Sequence, residues 1–142
     1  MLYYSYPQVV LQEVPDEISL ALSMSGCGLH CKGCHSQETW KSTFGEPLTV
    51  VELNRLLRKH KHITCVLFYG GEWQPKELIR LLKIVKDRGL NTCLYTGLNY
   101  EEVPKEIIGY LDYIKVGRYV EELGGLDSPT TNQRFIDLRK KS

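Results

Sequence analysis

Three observations predict an α/β fold built on a parallel sheet. Strand-length apolar runs alternate with helix-length amphipathic stretches, glycine or proline marks most junctions, and the central runs are apolar on both sides. The strand–helix units are too few to close an eight-stranded barrel. The expectation is therefore a small, open, partial (βα) barrel, formed by a single domain over residues 1–142.

Residues 8–13 (QVVLQE) read as a short edge strand closed by Pro15-Asp16. Residues 19–25 alternate at period two, turning Leu20, Leu22 and Met24 to a covering layer and Ser19, Ala21, Ser23 and Ser25 to a tight or polar interior. Thr49 and Glu52 have capping-box spacing and open a helix with Val50, Leu53, Leu56 and Leu57 as its apolar stripe. Residues 63–69 (ITCVLFY) form a nearly continuous apolar run, as in a strand covered on both faces. Pro75 starts a second helix with Leu78, Leu81, Leu82 and Val85 on one face; Lys86 and Arg88 lie in its last turn and Gly89 closes it. Next come a strand over 91–96, a weaker helix within 100–110 that starts after Pro104, and a strand over 112–116 ended by Gly117. A loop-rich stretch containing Gly124-Gly125 and Ser128-Pro129 leads to a last strand at 134–136.

A chain of 142 residues buries roughly two-thirds of its unfolded surface. With 42% apolar residues, 25% charged residues and a net charge of +1, it has no electrostatic signature of a nucleic-acid or membrane-surface binder. Its longest apolar runs are strand-length, too short for a transmembrane helix. Met1-Leu-Tyr-Tyr lacks the basic flank and cleavage site of a signal peptide. Five cysteines are an odd count and three are clustered, which favours metal ligation in a reducing compartment, the cytoplasm, over a disulfide framework.

That cluster is Cys27, Cys31 and Cys34, directly after the strand at 19–25 and hence at the strand end where parallel sheets bind ligands. Thiolate is the soft ligand that iron–sulfur centres and zinc prefer. No fourth cysteine lies nearby, so a cubane held at three corners keeps one iron open to a non-protein ligand. The bland alternative is structural zinc with His30 or His35 as fourth ligand. A plain electron-transfer cluster would need Cys65 or Cys93, both at mid-strand positions where cysteine usually acts as a small apolar residue. Gly70-Gly71-Glu72 ends the next strand at the same end of the sheet; Glu72 is either an acceptor for an ammonium group or an exposed turn residue. Lys115, between Ile114 and Val116, points to the interior and needs an anion there: a cofactor carboxylate, or a salt bridge to Asp112 or Glu72. Tyr95 and Thr96 either meet a ribose or fill the interior. His60 and His62 read as a solvated helix end.

Cys27, Cys31 and Cys34 match C-x-x-x-C-x-x-C, and Gly70-Gly71-Glu72 matches the G-G-E element. On these the chain resembles the radical S-adenosylmethionine enzymes. Its length, the C-x-G-C form at Cys31 to Cys34 and the segment Ser128-Pro129-Thr130-Thr131-Asn132-Gln133-Arg134 make it most similar to the activating proteins of anaerobic (class III) ribonucleoside-triphosphate reductase. The resemblance runs from about Gln12 to Phe135. It implies a partial barrel of the radical S-adenosylmethionine type and a 4Fe–4S cluster on the three cysteines. It also implies S-adenosylmethionine on the fourth iron, with Gly70, Gly71, Glu72, Thr96 and Lys115 around it. The implied activity is generation of a 5′-deoxyadenosyl radical that takes hydrogen from a glycine of the reductase, with a flavodoxin-like or other one-electron donor. Two departures stand out: Gly33 where many members have an aromatic residue, and Trp73 where many have proline. Other implied readings are a radical enzyme acting on another glycyl-radical protein or small molecule, and a non-enzymatic zinc or iron–sulfur module.

Overall fold

The structure is a computed structural model, and it describes residues 2–11, 14, 16–24, 46–117 and 134–140. Seven strands make one sheet: β1 (Tyr3–Val10), β2 (Ser19–Met24), β3 (Glu46–Pro47), β4 (Cys65–Tyr69), β5 (Asn91–Tyr95), β6 (Tyr113–Val116) and β7 (Arg134–Asp137). Their order is β3-β1-β2-β4-β5-β6-β7. The middle four, β2, β4, β5 and β6, run parallel, with Leu22 beside Phe68, Phe68 beside Leu94 and Leu94 beside Ile114. Antiparallel β1 and β7 flank them, and two-residue β3 extends the β1 side. The described strands thus form an open sheet in a mixed α/β fold.

Among the described residues, three helices, α1 (Val50–Lys59), α2 (Pro75–Asp87) and the one-turn α3 (Lys105–Ile108), connect the parallel strands. Their apolar stripes (Leu53, Leu56 and Leu57; Leu78, Leu81, Leu82 and Val85; Ile107) pack on Leu20, Leu22, Met24, Phe68, Leu94 and Ile114. Burying each such leucine contributes roughly 1.5–3 kcal/mol, so this layer is the main source of cohesion. The opposite, interior face carries Ala21, Cys65, Leu67, Cys93, Tyr95 and Tyr113, with Val14 packed among them. Among the described residues, no helix is long and apolar enough to cross a membrane.

Three local expectations change. The first strand begins at Tyr3, before the expected stretch, and β3 pairs only with Tyr3 and Tyr4, so Gln8 to Val10 lie at the edge as read; a register irregularity between Ser5 and Gln8 accommodates Pro7, which cannot donate to a ladder. Val50 is 38% exposed and falls outside the apolar stripe of α1, because it sits in the first turn with Val51. Thr49 does cap α1 by accepting from the Glu52 N–H at 3.1 Å, but the Glu52 carboxylate turns to Arg55 and the Tyr4 hydroxyl. The weaker helix starts after Pro104 as read, as the single turn of α3, and a separate 3₁₀ turn covers Tyr100–Glu102. The expected ends of 19–25 and 134–136 agree with β2 and β7 within a residue.

Candidate functional site

The C-terminal ends of β2, β4, β5 and β6 lie side by side, and the predicted site residues of the described chain gather there. β4 ends at Tyr69 and runs into Gly70 and Gly71, with φ of +97° and +109°. Side chains rarely adopt this backbone region. Space forbids them too: a Cβ on Gly70 would lie 2.8 Å from the Trp73 indole. On Gly71 it would make only ordinary contacts, 3.4 Å from Leu78 and 3.6 Å from Met24, so there the backbone φ alone calls for glycine. Trp73 therefore supports the turn from beneath, where the resemblance would put a proline. The Gly70 N–H donates to the Tyr95 carbonyl at 3.0 Å, tying the turn to β5.

Glu72 follows, and the turn holds it inside rather than in solvent: it is 8% exposed. Its Oε1 accepts from the Thr96 hydroxyl at 2.8 Å. Its Oε2 is buried and has no hydrogen-bond partner among the described residues. Burial pushes the carboxyl above its ordinary range, against its own backbone amide and the Thr96 hydroxyl, which favour the charged form. Thr96 is 5% exposed, just past β5.

Lys115 lies on the interior face, opposite Ile114 and Val116, which pack under the helices. It registers with Tyr95 on one side and Phe135 on the other, and its Nζ sits 4.5 Å from the centre of the Tyr95 ring. Asp112, one expected partner, pairs instead with Lys86 at 2.7 Å and accepts from the Thr92 N–H. Tyr69, Tyr95 and Phe135 continue the wall edge to face, with ring centres 5.4 and 6.4 Å apart. Cys65 and Cys93 are free thiols buried on this face; burial pushes Cys65 up to about 12 and raises Cys93 well above its ordinary value. His60 ends α1 and His62 is exposed, as read from the sequence.

Cys27, Cys31 and Cys34 lie outside the described residues, as do His30, His35 and the segment 128–133. What is described is the approach to the cysteines. Ser23 registers with Tyr69, and Met24 packs against Gly70 and Gly71, so β2 leaves the sheet beside the Gly70-Gly71-Glu72 turn.

The sequence reading missed a second buried carboxylate, at the other end of the sheet. Glu17 is 7% exposed and accepts from Thr64 Oγ1 at 2.6 Å, Asn91 Nδ2 at 2.7 Å and the Tyr113 hydroxyl at 2.5 Å. Arg139 stacks on the Tyr113 ring, 4.6 Å from its centre. These groups fill the interior face where the parallel strands begin. The available signal was a polar residue at or beside the start of each later strand: Thr64, Asn91 and Asp112.

Comparison with known proteins gives this geometry a context. The 4Fe–4S single cluster domain family matches residues 18–135. The chain belongs to that family. In this 4Fe–4S single cluster domain, the matched span takes in both the three cysteines and the Gly70-Gly71-Glu72 turn. An anaerobic ribonucleoside-triphosphate reductase-activating protein of phage T4 is 30% identical over 114 residues, 73% of this chain and 72% of that protein. The protein of the same name from Escherichia coli K12 is 27% identical over 138 residues, 87% of this chain and 88% of its own. A pyruvate formate-lyase-activating enzyme of Clostridium pasteurianum is 38% identical over 99 residues, 62% of this chain; the chain spans 42% of that relative's length. The resemblance to the reductase-activating proteins thus holds over most of the 4Fe–4S domain.

Proposed function

We propose that this chain is a radical S-adenosylmethionine enzyme that activates a glycyl-radical enzyme, with anaerobic ribonucleoside-triphosphate reductase as its partner. The observation that carries this reading is the buried Oε2 of Glu72, without a hydrogen-bond partner among the described residues and beside the strand that runs into the three-cysteine segment. A buried carboxylate oxygen without a partner is costly, and a ligand ammonium completes it. The residues therefore fit the amino group of S-adenosylmethionine, and three thiolates without a fourth fit a 4Fe–4S cluster with one open iron. When bound, cluster and cofactor supply reductive cleavage of the sulfonium to methionine and a 5′-deoxyadenosyl radical, which takes hydrogen from the α-carbon of a partner glycine.

The chain's own residues bind, orient and exclude. Cys27, Cys31 and Cys34 hold the cluster. Gly70 and Gly71 let the ligand approach the backbone; both hold a positive φ, and a Cβ on Gly70 would crowd Trp73. Glu72 accepts from the ammonium, and Lys115 balances the cofactor carboxylate from the neighbouring strand end. Thr96 closes the site between Glu72 and β5. Glu17 and its donors fill the opposite end of the interior face, which directs ligands to the strand ends that bear Glu72. The open sheet acts as a partial (βα) barrel, a single domain over residues 1–142 in the cytoplasm. Its unclosed side admits a backbone loop of the partner, and near-contact geometry of that kind carries much of the rate. A flavodoxin-like or other one-electron donor reduces the cluster.

The test is anaerobic reconstitution with iron and sulfide, then dithionite and S-adenosylmethionine. Formation of methionine and 5′-deoxyadenosine, and of a glycyl radical on added reductase by electron paramagnetic resonance, is the expected result. Bound zinc with no cleavage would overturn the reading in favour of a binding module. Cleavage without a glycyl radical on the reductase would overturn the choice of partner.

A further inference from the structure

We propose that Thr96 is a positioning residue that decides which oxygen of Glu72 meets the cofactor's ammonium. The inference rests on the reading of Glu72 as the ammonium acceptor and adds a residue that acts only through it. Thr96 Oγ1 makes two hydrogen bonds: it accepts from the Leu98 N–H at 3.1 Å and lies 2.8 Å from Glu72 Oε1. An N–H can only donate, and an ionised carboxylate can only accept. With Glu72 ionised, as an acceptor for the amino group has to be, the single hydroxyl proton of Thr96 points at Oε1. That oxygen is anchored by Thr96, and Oε2 is buried without a partner among the described residues.

The hydroxyl is itself held from two sides. The Thr96 N–H donates to the Lys115 carbonyl at 2.9 Å, and the Leu98 carbonyl accepts from the Gly117 N–H at 2.7 Å. The turn bearing Oγ1 is thus laced to the end of β6, while the Gly70 N–H laces the Glu72 turn to β5. A carboxylate rotates about its last torsion with little restraint of its own. With Oε1 fixed, that rotation is removed and one oxygen is presented in one direction. The order in which the strand ends are tied (β4 to β5, β5 to β6) is transmitted to the ligand through this hydroxyl.

The experiment measures affinity on anaerobically reconstituted protein, with two probes: S-adenosylmethionine and its analogue lacking the amino group. Wild type, Thr96→Val, Thr96→Ser, Glu72→Gln and the double variant Thr96→Val/Glu72→Gln are compared by titration calorimetry, after urea unfolding has verified that each is folded. Loss of one hydrogen bond to a charged acceptor predicts that Thr96→Val weakens S-adenosylmethionine roughly ten- to a hundredfold. The deaminated analogue should bind Thr96→Val within about twofold of wild type, because Oε2 serves only the ammonium. Thr96→Ser should restore affinity, and Thr96→Val should add nothing in the Glu72→Gln background.

Equal weakening of both probes by Thr96→Val, or no weakening of either, would overturn the proposal by making Thr96 a packing residue. If Thr96→Val misfolds, Thr96→Ser decides: it must keep the preference for the amino-bearing probe, and loss of that preference overturns the proposal. A Glu72→Gln variant that still prefers the amino group would overturn the underlying reading of Glu72, a different failure with a different signature.

Discussion

Removing the Glu17 carboxylate should destabilise the fold without touching the ligand end of the sheet. In Glu17→Ala, Asn91 Nδ2 and the Tyr113 hydroxyl lose their acceptor in the interior, whereas Thr64 Oγ1 keeps a long contact to the Ile18 carbonyl at 3.4 Å. Each buried donor left unsatisfied costs about 1–3 kcal/mol, and the cavity adds to it. Arg139 is 46% exposed at its side chain and regains water, so its share is small. The sum is about 3–5 kcal/mol, or a fall of roughly 10–15 °C in Tm for a chain of this size. Urea unfolding is the assay, with a midpoint lowered by about 1.5–2.5 M. Glu17→Gln can turn its one amide oxygen to Asn91 and Tyr113, which share the Glu17 Oε2, and should lose about half as much. Glu77→Ala, on a side chain 34% exposed, is the surface control and should stay within about 0.5 kcal/mol. A Glu17→Ala loss no larger than that of the control would refute the network as a source of stability.

Four further outcomes follow. Gly70→Ala combines a φ of +97° with a Cβ placed 2.8 Å from Trp73, and should cost about 2–4 kcal/mol in urea unfolding and weaken S-adenosylmethionine binding in calorimetry. The Glu52 carboxyl is held down at about 2, by Arg55 first and then Tyr4, against 4.5 when unfolded. The unfolded state therefore takes up that proton first, and stability present above pH 4.5 is lost as pH falls toward 2. Glu52→Gln should flatten this part of the acid limb in urea midpoints measured across pH. Cys31→Ala should abolish cluster assembly, whereas Cys93→Ala should leave iron content and colour near wild type. In wild type, the buried Cys65 and Cys93 thiols should resist alkylation at pH 8 until urea unfolds the chain.

Much of the layered fold was legible because period and punctuation are local. Leu20, Leu22 and Met24 alternate at period two and pack under the helices as read. Thr49 and Pro75 mark helix starts through bonds and φ values that depend only on near neighbours. The start of the first strand was missed because Pro7 cannot donate to a ladder, and only the pairing of β1 with β2 reveals the irregularity that accommodates it. Glu72 was recognised by its motif, yet its burial and its bond to Thr96, 24 residues away, depend on how β4 and β5 pair. Glu17 was overlooked for the same reason. A glutamate after Pro15-Asp16 reads as solvated, and its donors come from 47, 74 and 96 residues downstream. Only parallel pairing brings those strand starts to one point.

One spectroscopic measurement separates an open cluster corner from a closed one. The reconstituted protein is reduced anaerobically, given S-adenosylmethionine labelled with ¹³C at the carboxylate, and examined by electron–nuclear double resonance. Coupling of the labelled carbon to the cluster, present in wild type and lost in Cys31→Ala, is the predicted result. A cluster with four protein ligands and no coupling to the label, or bound zinc and no iron, would contradict it.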